Sequence, residues 1–270
     1  MIQNLPQKDI VIFFLDDNYV EDNNLCAYCY GGYFYEGDLN DLYETIINSK
    51  LNIGLEEWMP IKWDFSSHLK DFYKKYSNVN NFEQEWNNLI TKSKSIRKEL
   101  MQKVSPIKIL FSVFCVQKGQ NVGQELMVEN LFQRIGLNMT SKCLNIIMCD
   151  FEHDKSQTKK VLEDEYFNAY YKADSYFSGP LKNKNAFPSL SFSSTYFNPF
   201  LQISDIIVGC MASIVRSWLC GKNPDIFSKE IFGILKNNFV KKPSTEEIFR
   251  YGIISKPDNF KDFLISQGLL

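Results

Sequence analysis

The sequence predicts a mixed α/β fold: a sheet flanked by helices and interrupted by a helical insertion. Two observations carry this. Ile10 to Leu15 is an unbroken apolar run, and Leu144 to Cys149 is apolar apart from Asn145; each closes on aspartate, at Asp16-Asp17 and at Asp150. Apolar runs of this length without alternation are strands buried on both faces of a covered sheet. Between and after them lie stretches whose apolar residues recur at helical spacing, as covering helices require. The chain has 270 residues, 44% of them hydrophobic and 15% aromatic, which is enough for a sizeable core and excludes wholesale disorder. With no repeat, low-complexity linker or sharp boundary, residues 1–270 read as one domain.

In chain order, the first strand is expected at about 9–16 and the second at about 25–35, where Gly31-Gly32 marks a bulge or a close backbone approach. Leu39, Leu42, Tyr43, Ile46 and Ile47 share one face of a helix over 38–49. Pro60 to Trp63 is a short extended piece. The insertion, about 65–104, holds helices over 65–77 and 80–103, parted by Asn78, Asn80 and Asn81. The second has Phe82, Trp86, Leu89, Ile90, Ile96 and Leu100 inward and Lys92, Lys94, Arg97 and Lys98 outward. A strand over 107–116, a helix over 120–136, the strand ending at Asp150 and a charged helix over 156–172 follow. Ser189 to Ser193 is a short strand or extended lead-in to a long helix over 199–220, and small helices make up an extension over 222–270.

Composition removes several function classes. Only His68 and His153 are present, so a serine-histidine triad or a histidine-rich zinc site lacks material. The seven cysteines are odd in number, irregularly spaced and mostly within apolar segments, which fits reduced buried thiols and a cytoplasmic location. Cys26 and Cys29 form a C-x-x-C inside a strand, where residues three apart face opposite sides, so zinc or redox use is not expected. The most apolar stretch, Phe200 to Val215, carries Gln202, Ser204 and Asp205, and is read as a core helix, not a membrane span. The N-terminal apolar run spans six residues and ends in acids, unlike a signal peptide.

The chemistry lies in the aspartates. Ligands of open α/β sheets bind at the carboxyl ends of strands. Asp16 and Asp150 stand at two such ends, and Asp205 interrupts a helix that is otherwise almost wholly apolar. On that helix Gln202, Asp205, Gly209, Ser213 and Arg216 fall in a stripe about 80° wide, which must face something polar. Gathered carboxylates repel one another unless a hard divalent cation such as Mg2+ or Mn2+ compensates them. Asp16, Asp150 and Asp205 are therefore the expected metal ligands and catalytic groups, with Asp17 supplying a further oxygen, Asp154 a weaker candidate, and Lys62 countering phosphate charge. The net charge of −2 hides an asymmetry: residues 1–61 hold two basic side chains and eleven acids, whereas residues 62–118 hold eleven basic side chains and five acids. That segregation suits an anionic polymer beside a cation-loaded pocket, with Lys92, Lys94, Arg97 and Lys98 as its expected contacts.

In order and spacing these residues resemble the DUF3800 family, whose members are predicted to have a ribonuclease H-like fold. The resemblance covers roughly residues 9–220. Its first motif, a strand ending in a D-E-S-like sequence, is matched by Phe14-Leu15-Asp16-Asp17-Asn18, and its glycine-containing second strand by Ala27 to Tyr35. Ile61-Lys62-Trp63 matches its extended piece, and Ile146-Ile147-Met148-Cys149-Asp150 its later Asp-terminated strand. Gln202-Ile203-Ser204-Asp205-Ile206-Ile207-Val208-Gly209 matches its Q-x-A-D-x-x-x-G helix, with Ser204 for Ala; Asp17-Asn18 stand where Glu-Ser is common. The resemblance implies a ribonuclease H-like mixed sheet. With the aspartates it points to a metal-dependent nuclease or related phosphoryl-transfer enzyme acting on RNA or DNA. The alternative is a scaffold that binds nucleic acid, a protein partner or a second copy without catalysis. A haloacid-dehalogenase phosphatase would need a second Asp at Asn18, and a receiver domain would be about half this length.

Overall fold

A computed structural model describes residues 10–22, 24–77, 80–104, 106–119, 124–150, 156–172 and 179–270. Its centre is a six-stranded mixed sheet of β1 (Ile10–Glu21), β2 (Leu25–Phe34), β3 (Lys108–Gln117), β4 (Leu144–Asp150), β5 (Ser191–Ser193) and β6 (Ile253–Lys256), in the order β5-β4-β1-β2-β3-β6. β1, β2 and β3 form an antiparallel meander, β4 adds in parallel to β1 and β5 to β4, and β6 adds in parallel to β3. β2 is thus the one strand of this sheet that runs against the rest. Gly31 and Gly32 sit in regular register opposite Asp16 and Leu15, so they form no bulge. They permit close approach instead: a Cβ on Gly32 would meet the Phe14 carbonyl at 1.9 Å, and one on Gly31 the Leu110 carbonyl at 2.7 Å.

Helices cover both faces. α1 (Leu39–Asn52), α3 (Phe82–Lys103), α6 (Pro199–Leu219), α7 (Ile226–Leu235) and α8 (Phe260–Ser266) share one core with the face of β1 that bears Phe14. α4 (Gln124–Asn138) and α5 (Ser156–Phe167) pack on the other face, against Phe13, Leu15 and Cys149. α5 passes into a π turn at 168–172, so the helix expected through 172 changes winding in its last five residues. α2 (Ser67–Tyr76) builds a small satellite core with α3 around Leu69, Tyr73 and Trp86. The insertion is tied to the main body because Ile96, Leu100 and Met101 of α3 belong to the principal core. The C-terminal stretch contributes β6 as well as helices, where helices alone were expected.

α6 is the described helix long and apolar enough, by length and composition, to cross a membrane, yet 72% of that window is buried within the fold. It lies across β1 and β2, and Ser204 on its sheet-facing side donates to the Phe14 carbonyl at 2.9 Å. Its start is set by Asn198, whose Oδ1 accepts from Phe200 N and Leu201 N, followed by Pro199 in the first turn.

Candidate active site

β1 does not stop at Asp16 but runs on to Glu21, and this decides where its two aspartates point. Side chains alternate along a strand. Phe14 belongs to the α6-side core and Phe13 and Leu15 to the α4-side core, so Asp16 faces α6 and Asp17 faces α4. The last pair in the β1–β4 ladder is Leu15 with Cys149, so Asp16 and Asp150 follow side by side on neighbouring parallel strands. Cys149 lies in the α4-side core and Met148 packs on the α6-side core, which places Asp150 on the face of Asp16. Asp205 approaches that face from α6.

Each carboxylate is held by named donors. Asp16 Oδ1 accepts the Asp17 backbone N–H at 2.8 Å, and Asp150 Oδ1 accepts the Thr195 N–H at 2.8 Å. Asp205 Oδ2 accepts the Trp63 N–H, and its Oδ1 stands 3.6 Å from Lys62 Nζ. Asp16 is 8% exposed, and burial pushes its carboxyl well above the usual range. The charges of Asp150, Asp205 and Asp17 add to that rise, in that order, while Lys62 opposes it. An acid in this position either keeps its proton or needs a cation beside it.

The first half of the polar stripe of α6, from Gln202 to Gly209, faces residues 61–64, while Ser213 hydrogen-bonds Asp225 and Ser228 at the start of α7. Gln202 Oε1 accepts the Ile61 N–H at 3.2 Å while its Nε2 donates to the Thr195 carbonyl at 3.0 Å, so one amide bridges the two loops that carry Lys62 and the Asp150 donor. Gly209 leaves room for the Trp63 ring, since a Cβ there would come within 2.1 Å of its Cγ. Tyr73 closes the segment from the other side by donating to the Pro60 carbonyl at 2.6 Å. Lys62 is buried between Asp205 and the Tyr196 ring, whose centroid is 4.8 Å from Nζ.

The structure therefore brings Asp16, Asp150, Asp205 and Lys62 together and separates Asp17 from them, because the strand stays regular through that position. Asp17 reaches the site by its backbone N–H; its expected place among the metal ligands is corrected to a place on the opposite face. Asp154 lies outside the described residues. Among the described residues, no three His, Cys, Asp or Glu side chains stand close enough to form a ready-made metal cage. The donor set itself fits a hard cation: three carboxylates, one of them with its pKa raised by burial and by its neighbours, offer the oxygen ligands Mg2+ or Mn2+ takes.

The basic helix is corrected more sharply. Arg97 is 7% exposed and faces inward. Its Nη1 donates to the Trp63 carbonyl and its Nε to the Ser93 carbonyl, and its guanidinium lies among the rings of Trp63, Phe65 and Phe227 at 4.8–5.3 Å. Burial lowers its pKa to about 10, with Asp205, Asp64 and Asp225 opposing the fall. Arg97 thus braces the Trp63 loop and is not a phosphate contact. Lys98 pairs with Glu230 at 3.1 Å, Lys94 stands 5.6 Å from the Phe227 ring, and Lys92 lines a cleft with Glu85, Trp86 and Leu89. Exposed Ile90 also leaves the expected apolar face. Glutamine bridging by Gln202 was missed from sequence, although its position one turn before Asp205 was the available signal.

No family model matches the chain, and no curated protein or solved structure is significantly similar to it.

Proposed function

We propose that this protein is a divalent-metal-dependent nuclease, or a related phosphoryl-transfer enzyme acting on nucleic acid, on a ribonuclease H-like scaffold. The observation that carries the reading is Asp16, buried beside Asp150 and opposite Asp205, with its pKa raised by both. A fold keeps such repulsion where a ligand compensates it. The sheet supports the scaffold: an antiparallel β1-β2-β3 meander is extended by parallel β4 and β5, with acids on β1 and β4. Asp16, Asp150 and Asp205 would hold Mg2+ or Mn2+, which would supply Lewis acidity to a scissile phosphodiester. Lys62, fixed by Asp205 and Tyr196, stands ready to counter phosphate charge.

The test is incubation of the pure protein with labelled RNA and DNA panels in Mn2+, Mg2+ or chelator. Metal-dependent cleavage lost in Asp16→Asn supports the reading, and cleavage unchanged in that variant overturns it. The second reading is a scaffold that binds nucleic acid or a protein without cutting, on which Lys62 and the aromatic rings beside it would serve binding alone. Tight binding to nucleic acid with no cleavage under any metal would select it.

A further inference from the structure

A chain of aromatic rings leads away from the carboxylates across the outer side of the insertion. Tyr196 follows Thr195, whose N–H holds Asp150, and its ring lies beneath the Lys62 ammonium. Phe72 of α2 is 4.9 Å from Tyr196 and 5.5 Å from Phe197 between ring centroids; Tyr76 is 4.8 Å from Phe72, and Trp58 stands beside both, 6.4 Å from Phe72 and 6.2 Å from Tyr76. The inner sides of Phe72 and Tyr196 pack on the satellite core of Leu69, Tyr73 and Trp86. The outer side is open, with Phe197 70% exposed and Tyr76 45% exposed. Phe197 is presented by a hydrogen-bonded turn, its N–H donating to the Ser194 carbonyl at 3.1 Å, directly before the Asn198 cap.

We propose that this ridge is a stacking platform for the bases of a single-stranded nucleic acid whose backbone runs on to Asp16, Asp150 and Asp205. The inference rests on the nuclease reading and gives it a substrate class. The innermost ring, Tyr196, touches the lysine that pairs with Asp205, so ridge and site are continuous. α2 ends in exposed Lys74 and Lys75, and Lys75 Nζ lies 5.1 Å from the Tyr76 ring, so cations stand beside that ring as a phosphate backbone requires, while the indole N–H of Trp58 donates to Glu56 at 2.8 Å and marks the end of the ridge. Adjacent rings are tilted by 33° to 64°, which makes a ridge of separate faces. Only unstacked bases have faces free to meet it, because in a duplex they are covered by their neighbours.

The experiment measures fluorescence anisotropy in chelator, so that nothing is cut, with a labelled single-stranded oligonucleotide, its duplex and an abasic strand of equal length. The wild-type protein should bind the single strand in preference to the other two. Phe197→Ala and Tyr76→Ala should each weaken that binding about tenfold, within the range for one stacked base. Phe197→Trp should restore it. Both residues are exposed, so neither variant threatens the fold. Equal affinity for the abasic strand, or unchanged single-strand affinity in both alanine variants, overturns the platform. Hydrolysis of methyl p-nitrophenyl phosphate by wild-type protein in Mn2+ tests the nuclease reading separately. If that hydrolysis fails while single-strand binding depends on the rings, the nuclease reading falls and the platform stands. If it succeeds while the rings are silent, the platform falls alone.

Discussion

Asp16 is buried where three other carboxylates raise its pKa, and that has a sign in stability. Its native pKa lies above the unfolded value of about 3.9, so the native state keeps this proton to higher pH. The contribution is complete below the unfolded pKa and declines as pH rises towards the native one. In chelator, Asp16→Asn should therefore be the more stable protein at pH 7, with the gap closing towards pH 4; melting curves across that range check it, and a gap constant with pH would contradict the assignment. Lys50 shows the opposite case. It is 1% exposed in the last turn of α1, its ammonium donates to the Glu57 carbonyl at 3.4 Å, and burial lowers its pKa from 10.5 to about 8. The native state then holds fewer protons than the unfolded chain between pH 8 and 10.5, so stability rises with pH across that window. Lys50→Met should raise stability at pH 7 by up to about 3 kcal/mol, with the gain shrinking towards pH 10 in denaturant titrations.

At the scale of elements, α6 carries the site because its polar stripe and its apolar remainder do different work. The stripe of Gln202, Asp205 and Gly209 was legible in the sequence, since a helix apolar nearly all round has to give its few polar groups a polar neighbour. Which neighbour was not legible: the 61–64 segment has no secondary structure, and its contacts to α6 span about 140 residues of chain. Gly209→Ala should overpack Trp63, costing about 1–3 kcal/mol, and should displace Lys62. Circular-dichroism melts and the loss of metal-dependent cleavage read the two effects. α3 misled for a related reason. Arg97 sits within a basic run, but its stem and guanidinium fill a three-ring pocket formed by Trp63, Phe65 and Phe227, residues distant in sequence. Asp17 misled because a strand boundary was placed at Asp16, and one residue of error in a period of two reverses a face. The four-residue β6 was missed because its only signal is pairing with β3, some 140 residues earlier.

Across the whole molecule, repulsion among the carboxylates on the α6 face of the sheet is balanced by two covered faces and a shared core that reaches from α1 to α8. A cation that binds the native site adds stability by mass action, about 2.7 kcal/mol at a hundred times its dissociation constant. Mg2+ or Mn2+, but not an equal ionic strength of NaCl, should raise the melting temperature of the wild-type protein, and Asp205→Asn should lose that rise. The segment Pro60 to Trp63 is held to the rest of the fold by Tyr73 at Pro60, Gln202 at Ile61, and Asp205 and Arg97 at Trp63. The Ile61 and Trp63 amide hydrogens are therefore expected to be protected like those of a sheet interior, although neither residue belongs to a strand. In deuterium-exchange mass spectrometry the amides of Ile61 and Trp63 should be among the slowest outside the regular elements. Replacing Asp205 would release the Trp63 amide first, so the exchange clock of a loop becomes a direct reporter of the helix carboxylate that holds it.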